Sequence, residues 1–285
     1  MLTVLAPSEA YKTPCALILG GFDGLHVGHM QLLEAAKKTG LPVCITTILG
    51  GRNVALLSKD EREFVFEQAG IDCVLELNFT NEFQSTSAED FLRRLFSQVN
   101  AKIVFCGEDH RFGKDACGTP ALLKELAPCP VEIIPLYRIS GEKVSASLVK
   151  ELLSAGKLDC VNRMIEYFVQ GVVEHGRQVG RTYGYPTLNL SIPGEKLLPP
   201  DGVYGGVVKT PKGTYKSIIN IGARPTFGVE ERKLEAHLLD FGGDLYGALI
   251  RVYPTVFLRP VMRFASKDAL KEQLQRDKES INDVL

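Results

Sequence analysis

Apolar runs and amphipathic stretches alternate along the first half of the chain. Leu17-Ile18-Leu19 is an apolar run that stops at Gly20-Gly21, turns, and leads into a segment with Leu32, Leu33, Ala35 and Ala36 on one side and Gly40 as its stop signal. Val43-Cys44-Ile45-Thr46-Thr47 and the stretch from Ala101 to Phe105 have the same buried-strand character. Ser58-x-x-Glu61 and Ser87-x-x-Asp90 read as capping-box helix starts, and Lys59-Asp60-Glu61-Arg62-Glu63 reads as the solvated exterior of a helix. Alternating β and α units predict an α/β domain whose parallel sheet is wrapped by helices.

Beyond Tyr167 the pattern changes. Short apolar strands separated by Pro/Gly turns, such as Gly202-Val203-Tyr204-Gly205-Gly206-Val207-Val208 and Ala248-Leu249-Ile250-Arg251-Val252-Tyr253, predict a small antiparallel β-barrel. The connecting stretch from Leu152 to Phe168 reads as helical, with Gly156 interrupting it. All seven cysteines, at 15, 44, 73, 106, 117, 129 and 160, precede Asn162, whereas Tyr183, Tyr185, Tyr204, Tyr215, Tyr246 and Tyr253 crowd the remainder. This break divides the chain into domains at 1–160 and 161–285.

At 285 residues and 45% hydrophobic, the chain can bury two ordinary cores. The 33 Lys+Arg against 34 Asp+Glu leave a formal net charge of −1, which offers no attraction to nucleic acid or a membrane surface. Anionic substrates must therefore be handled locally. The cysteines form no CxxC pair and have no metal spacing, so they read as buried reduced thiols of a cytoplasmic protein. Met1 to Ala10 has no basic region before an apolar core, and no apolar stretch approaches the length of a membrane span. The expected partners are small molecules, with the chain a monomer or weak homo-oligomer.

Two segments carry candidate chemistry. In Gly20-Gly21-Phe22-Asp23-Gly24-Leu25-His26-Val27-Gly28-His29, a strand, a glycine loop and a helix start form a phosphate site, because orphan N–H groups and the helix dipole both favour an anion there. Gly20, Phe22, Asp23 and Gly28 belong to the nucleotide loop, and His26 and His29, three apart, can touch one triphosphate. Cap or core histidines are the plain alternative; a metal reading lacks a third ligand. In Gly180-Arg181-Thr182-Tyr183-Gly184-Tyr185-Pro186-Thr187-Leu188-Asn189, Gly180 and Gly184 let backbone N–H groups approach phosphate. Thr187 and Asn189 project from one face of an extended strand and can reach one hard cation, such as Mg²⁺ carried in by a nucleotide. The alternative is a Gly/Pro turn leading into an edge strand.

Together with Ser217-Ile218-Ile219-Asn220-Ile221-Gly222-Ala223-Arg224-Pro225-Thr226-Phe227-Gly228 and Lys233-Leu234-Glu235-Ala236-His237-Leu238-Leu239-Asp240-Phe241, this second segment resembles the flavokinase module of the bifunctional riboflavin kinase/FAD synthetase family. The family shows PTxN, NIGxRPTF and a Leu-Glu-x-His-Leu-Leu-Asp-Phe strand in that order. The resemblance runs from about Val169 onward, with Ser266 to Leu274 matching the family's closing helix. It implies that Thr187 and Asn189 hold Mg-ATP, that Asn220 and Gly222 border the nucleotide, and that Glu235 is the base facing the 5′-hydroxyl of riboflavin. By its own spacing Glu235 also fits a solvent-facing position, since Leu234, Ala236 and Leu238 supply the apolar alternation.

The GGFDGLHVGH run is similar to the HxGH motif of adenylyl and cytidylyl transferases and looks like the FAD synthetase half of the same family. That implies a Rossmann-like nucleotidyltransferase fold in which the phosphate of FMN attacks the α-phosphorus of ATP, with His26, His29 and Mg²⁺ stabilising charge on the leaving pyrophosphate. Cys106-Gly107-Glu108-Asp109-His110-Arg111-Phe112-Gly113-Lys114 resembles the family's Gly-x-Asp/Asn-Phe-x-Phe-Gly stretch, which implies that Asp109 and Phe112 lie against flavin; an Asx turn is the plain reading of Asp109. His110 stands where an aromatic is usual. The family's Ser-Ser-Thr-x-Ile-Arg is here Ser145-Ala146-Ser147-Leu148-Val149-Lys150, which puts Ser147 and Lys150 at ATP phosphates with a lysine in place of the arginine fork. The family's Phe-Asp-Pro-His-Pro is replaced by Ile48-Leu49-Gly50-Gly51-Arg52-Asn53, a glycine loop. Three functions stay open: an enzyme making FMN and then FAD, a riboflavin kinase whose first domain only binds nucleotide or flavin, and a non-enzymatic flavin-responsive binding protein.

Overall fold

The computed structural model describes the chain except residues 1, 7–8, 51–53, 175–186, 193, 227–228, 263 and 285, and describes 223–226, 229–231, 267 and 283–284 by backbone alone. It forms two compact units, Met1–Val149 and Lys150–Leu285.

The first unit contains β1 (Thr3–Leu5), β2 (Tyr11–Leu19), α1 (Val27–Lys37), β3 (Val43–Leu49), α2 (Lys59–Gln68), β4 (Cys73–Asn78), α3 (Asn81–Ser85), α4 (Ala88–Gln98), β5 (Val99–Gly107), α5 (Pro120–Leu126), β6 (Val131–Ile134), the short pair β7 (Arg138–Ile139) and β8 (Glu142–Lys143), and the start of α6 (Ala146–Ser154). Six strands form one sheet in the order β1-β4-β3-β2-β5-β6, every neighbouring pair parallel. Both faces of the central strands are covered, so Cys15–Leu19 of β2 and Val43–Thr47 of β3 are buried without a break. Along β2, Ala16 and Ile18 pack with Leu32, Leu33 and Ala36 of α1 and Phe66 of α2. Cys15, Leu17 and Leu19 take the opposite face, with Phe91, Leu92 and Leu95 of α4 and Leu123 of α5.

The charged run at the start of α2 departs from expectation. Lys59 and Asp60 are exposed, but Glu61 is fully buried and Arg62 is 8% exposed. The capping box is the reason for Glu61: Ser58 Oγ accepts the Glu61 N–H at 3.4 Å, and Glu61 Oε2 accepts the Ser58 N–H at 2.7 Å, folding the carboxylate under the first turn. At the α4 start only half a box forms. Ser87 Oγ accepts the Asp90 N–H at 3.1 Å, while the shorter Asp90 side chain takes the Ser87 hydroxyl and Arg93 instead of reaching back. The thiols are free, but only Cys15, Cys44, Cys73 and Cys106 are buried.

The second unit adds α7 (Leu158–Met164), β9 (Val169–Glu174), β10 (Leu188–Leu190), β11 (Gly202–Thr210), β12 (Gly213–Thr226), β13 (Val229–Leu238), β14 (Leu249–Arg259) and α8 (Lys267–Val284). Its strands close into an antiparallel barrel in the order β10-β13-β12-β11-β14-β9. Tyr204, Val208, Ile219, Ile221, Leu234 and Ala236 are completely buried in it. On the outer wall α8 packs Ile281 against Val203, Ile218 and Leu239. Its buried Asp277 receives Arg259 of β14 through Nε at 3.0 Å and Nη2 at 2.9 Å, and Gln273 Nε2 at 2.9 Å.

The helical connection begins at Ala146, earlier than expected, and ends at Met164; Gly156, at φ +73°, separates α6 from α7. The contact boundary falls inside α6, ahead of the composition break near residue 160. That break marks where cysteines stop, whereas α7 already packs on the barrel, with Asn162 Nδ2 donating to the Pro254 carbonyl at 3.2 Å.

Candidate active sites

In the first unit the sheet order reverses at β2, with β3 and β4 on one side and β5 and β6 on the other. A crevice opens at the carboxyl ends of strands at such a switch point. There β2 gives way to Gly20 and Gly21, held by threonines of β3. Gly20 donates its N–H to Thr46 Oγ1 at 3.1 Å, and Thr46 donates back to the Gly20 carbonyl at 2.9 Å. Thr47 Oγ1 donates to the Gly21 carbonyl at 3.2 Å. Phe22 follows in the left-handed region at φ +42°, its ring so close over Gly20 that a Cβ there would lie 2.6 Å from it. Asp23 Oδ1 accepts the Leu56 N–H at 3.1 Å, tying the loop after β2 to the segment before α2.

His26 is the N-cap of α1, in extended backbone and without a side-chain cap. Its ring stacks on His29 with centroids 3.5 Å apart and 16° between planes. Gly28 makes room for this, since a Cβ there would come within 3.2 Å of the His26 ring. His29 rests on Phe22 at 4.5 Å, and its Nδ1 lies 3.1 Å from the Gly24 carbonyl. A carbonyl only accepts, so Nδ1 carries the hydrogen and Nε2 carries the lone pair. Burial pushes His26 down to about 4 and His29 well below the ordinary imidazole value, His29 further depressed by the neighbouring His26. Both rings thus favour the neutral form near neutral pH, and His26 Nδ1 is buried without a partner. Among the described residues no group of three or more His, Cys, Asp or Glu could hold a metal ion.

A cavity of about 490 Å³ lies at the same strand ends, lined by Gly20, Gly21, Thr46, Ile48, His110 and Phe112 together with Phe79, Phe83 and Phe91. Phe112 packs 5.7 Å from His110 and 5.6 Å from Phe91, and lies flat over Gly118, where a Cβ would meet its ring at 2.6 Å. Burial lowers His110 to about 4, and its Nε2 has no partner. Asp109 does not line this cavity; its carboxylate pairs with Lys143. Ser147 is exposed in α6 on the first unit, whereas Lys150, half-buried in the same helix, belongs to the second. The aromatics Phe79, Phe83 and Phe91 and the threonine clamps were missed by sequence reasoning. Their only signal is three phenylalanines within one short stretch after β4.

In the second unit strand register gathers the candidates. Asn189 of β10 is the direct partner of Glu235 of β13, and Glu235 is the direct partner of Asn220 of β12. Cross-strand partners share a face, so the three side chains form one row. Leu234, Ala236 and Leu238 fill the barrel, which sets Glu235 on the outer face, where it is half-buried like Asn189 and Asn220. Thr187 precedes β10 on the Asn189 side. Asn189 Nδ2 lies 3.5 Å from the Thr187 carbonyl, which leaves Oδ1 as the outward acceptor. Gly222, next outward on β12, has only Val261 and Asp201 near its open face, and Asp201 is held by Arg232 Nε at 2.9 Å. Gly180 and Gly184 lie outside the described residues, as does the Gly51-Arg52-Asn53 part of the earlier loop.

Comparison with known proteins covers both units. The riboflavin kinase family model matches residues 164–285, and the FAD synthetase family model matches residues 8–148. The bifunctional riboflavin kinase/FMN adenylyltransferase of Escherichia coli strain K12 is 31% identical, over 95% of this chain and 92% of its own. The protein of the same description from Bacillus subtilis is 28% identical, over 92% and 90%. A crystal structure from Streptococcus pneumoniae, described as a macrolide-efflux protein, superposes with a TM-score of 0.88 at 29% identity, over 99% of this chain and 98% of that one.

Proposed function

The chain belongs to the bifunctional riboflavin kinase/FMN adenylyltransferase family, and on that premise we propose how its two units divide the work. The protein phosphorylates riboflavin to FMN with ATP and adenylylates FMN to FAD with release of pyrophosphate. We assign the first reaction to the barrel and the second to the crevice of the parallel sheet.

The observation that carries the barrel assignment is the row Asn189–Glu235–Asn220. Phosphoryl transfer has a loose transition state, so the protein positions reactants and offsets charge, and one carboxylate suffices to take the hydroxyl proton. Glu235 accepts the proton of the riboflavin 5′-hydroxyl as that oxygen bonds the γ-phosphorus and the bond to ADP breaks. Thr187 and Asn189 offer neutral, hard oxygens on one face, a donor set that suits Mg²⁺ already neutralised by ATP phosphates. Mg²⁺ held there would offset the charge of the ATP phosphates. Asn220 and the open face at Gly222 border the nucleotide.

In the crevice an FMN phosphate oxygen bonds the α-phosphorus of ATP while the bond to pyrophosphate breaks. Gly20, Phe22, Asp23 and Gly28 shape the loop under the phosphates, and Phe112 packs on flavin. Ser147 and Lys150 remain candidate phosphate contacts, and Asp109, paired with Lys143, remains a candidate flavin contact. With rings 3.5 Å apart, His26 and His29 accommodate one added proton between them far more easily than two. Polyphosphate supplies the negative charge that draws it in, after which an imidazolium donates to the leaving pyrophosphate.

We place the enzyme in the cytoplasm, with reduced thiols, as a monomer or weak homo-oligomer acting on small molecules and engaging neither nucleic acid nor membrane. Among the described residues no helix is long and apolar enough to cross a bilayer. Purified protein incubated with riboflavin and Mg-ATP, followed by chromatography resolving FMN from FAD, tests the whole reading: both products are expected, and FMN alone would remove the crevice from catalysis.

A further inference from the structure

Arg62 is 8% exposed, and its Nη1 donates to the Ile48 carbonyl at 3.2 Å. Among the described residues it has no carboxylate within ion-pair distance. The acids around it are engaged elsewhere: Glu61 holds the Ser58 N–H at 2.7 Å, Glu76 takes Lys59 at 2.9 Å, and Glu63 faces Lys59 at 3.7 Å. The Ile48 carbonyl satisfies one of the five guanidinium N–H donors.

Its location explains what the remaining donors are for. Ile48 lines the cavity at the carboxyl ends of β2 and β3, and its own N–H donates to the Gly21 carbonyl at 3.1 Å. Arg62 is therefore joined through a single residue of β3 to the phosphate loop. The basic groups that flank the crevice differ from it. Lys59 and Lys143 are held by Glu76 and Asp109, and burial favours the neutral form of His26 and His29. A planar fork with open donors beside such a cavity matches a phosphate group, which accepts two parallel N–H bonds.

We propose that Arg62 is an anion receptor of the adenylyl-transfer crevice, binding a phosphate group of one of its two substrates, the phosphomonoester of FMN or the polyphosphate of ATP. This rests on the assignment of adenylyl transfer to the His26/His29 crevice. Arg62 is a binding residue and takes no part in proton transfer.

The test uses full-length protein and the variants Arg62→Met, which keeps an unbranched apolar stem, and Arg62→Lys, which keeps the charge but not the fork. FAD formation is measured against varied FMN and, separately, varied ATP, with hydrogen exchange on strands β2 to β5 of the same preparations as a check on folding of the first unit. Arg62→Met is expected to raise one KM about tenfold or more with a much smaller change in kcat, and Arg62→Lys to recover part of the loss. A rise confined to FMN names the flavin phosphate, and a rise confined to ATP names the polyphosphate. Both KM values within twofold of wild type, or an equal kcat loss in both variants without a KM change, would overturn the proposal. His29→Ala run alongside separates the two levels: if it leaves FAD formation intact, the crevice assignment falls and this inference with it, whereas a silent Arg62→Met beside an inactive His29→Ala removes the inference alone.

Discussion

Asn189 and Glu235 face each other directly across the β10–β13 pair, their side chains on the outer surface of the barrel. Directly opposed residues place Cβ atoms about 5 Å apart, so the amide and the carboxylate here are neighbours on one face. The plain reading of Glu235 as an outward-facing strand residue describes its position. The apolar residues around it do fill the interior, and it does point outward, but into a polar row and not into open solvent.

Glu235→Gln keeps the shape and removes the proton acceptor. FMN formation is expected to fall by the ~10²–10⁴-fold typical of a lost general base, with riboflavin still bound. Steady-state rates with riboflavin and Mg-ATP check this, and an unchanged turnover would remove Glu235 from the mechanism.

Asn189→Ala removes one hard oxygen beside Thr187. Mg-ATP affinity at the barrel should weaken more than riboflavin affinity, because the cation loses a ligand and the flavin loses nothing. Calorimetric titration of each ligand decides the matter, equal losses counting against a cation role.

His29→Ala should abolish FAD formation and leave FMN formation intact, since the two reactions are assigned to separate units with separate loops. Chromatography of the products after incubation with FMN, and separately with riboflavin, reads both activities.

Acid should destabilise the first unit selectively. His26 and His110 titrate near 4 when folded, against an ordinary imidazole value of 6.5. Between those limits the unfolded chain binds more protons, so stability is lost as pH falls from 6.5 toward 4, by about 1.4 kcal/mol per pH unit for each histidine. Hydrogen exchange on strands β2 to β5 at pH 7 and pH 5 should show protection lost at the lower pH, and His110→Phe should reduce the loss. Equal protection at both values would rule this out.

Arg259→Met should destabilise the barrel by about 3 kcal/mol or more, because Asp277, 3% exposed, would be left as a buried carboxylate without its cation. Denaturant unfolding followed on the barrel's tyrosines measures it. Replacing Arg259 and Asp277 together by apolar residues should recover part of the loss.

Periodicity made both architectures legible. Ala16 and Ile18 against Cys15, Leu17 and Leu19 announce a strand covered on two faces, and Leu234, Ala236 and Leu238 announce one covered on a single face. Register was not legible. Nothing in the spacing from Asn189 to Asn220 to Glu235 says that they will align, because alignment depends on which strands pair and where each hairpin turns. The aromatic cavity was hidden for a related reason, since Phe79, Phe83, Phe91 and Phe112 come from separate segments that meet only at the strand ends. Arg62 was misread because five consecutive charges carry no facial bias, and burial there follows from the packing of α2 under the loop after β3.

The outer wall of the barrel gives α8 a place in the order of synthesis. Val203, Ile218 and Leu239 are made well before Ile281, the side chain that covers them, and Arg259 is made before Asp277. A chain cut between β14 and Asp277 can still pair the barrel's strands but carries an uncovered apolar strip and a cation without its carboxylate. Such a truncated chain is the form of this protein that chaperones and proteases should recognise, while the first unit, whose strands and helices are all upstream, should be folded in it.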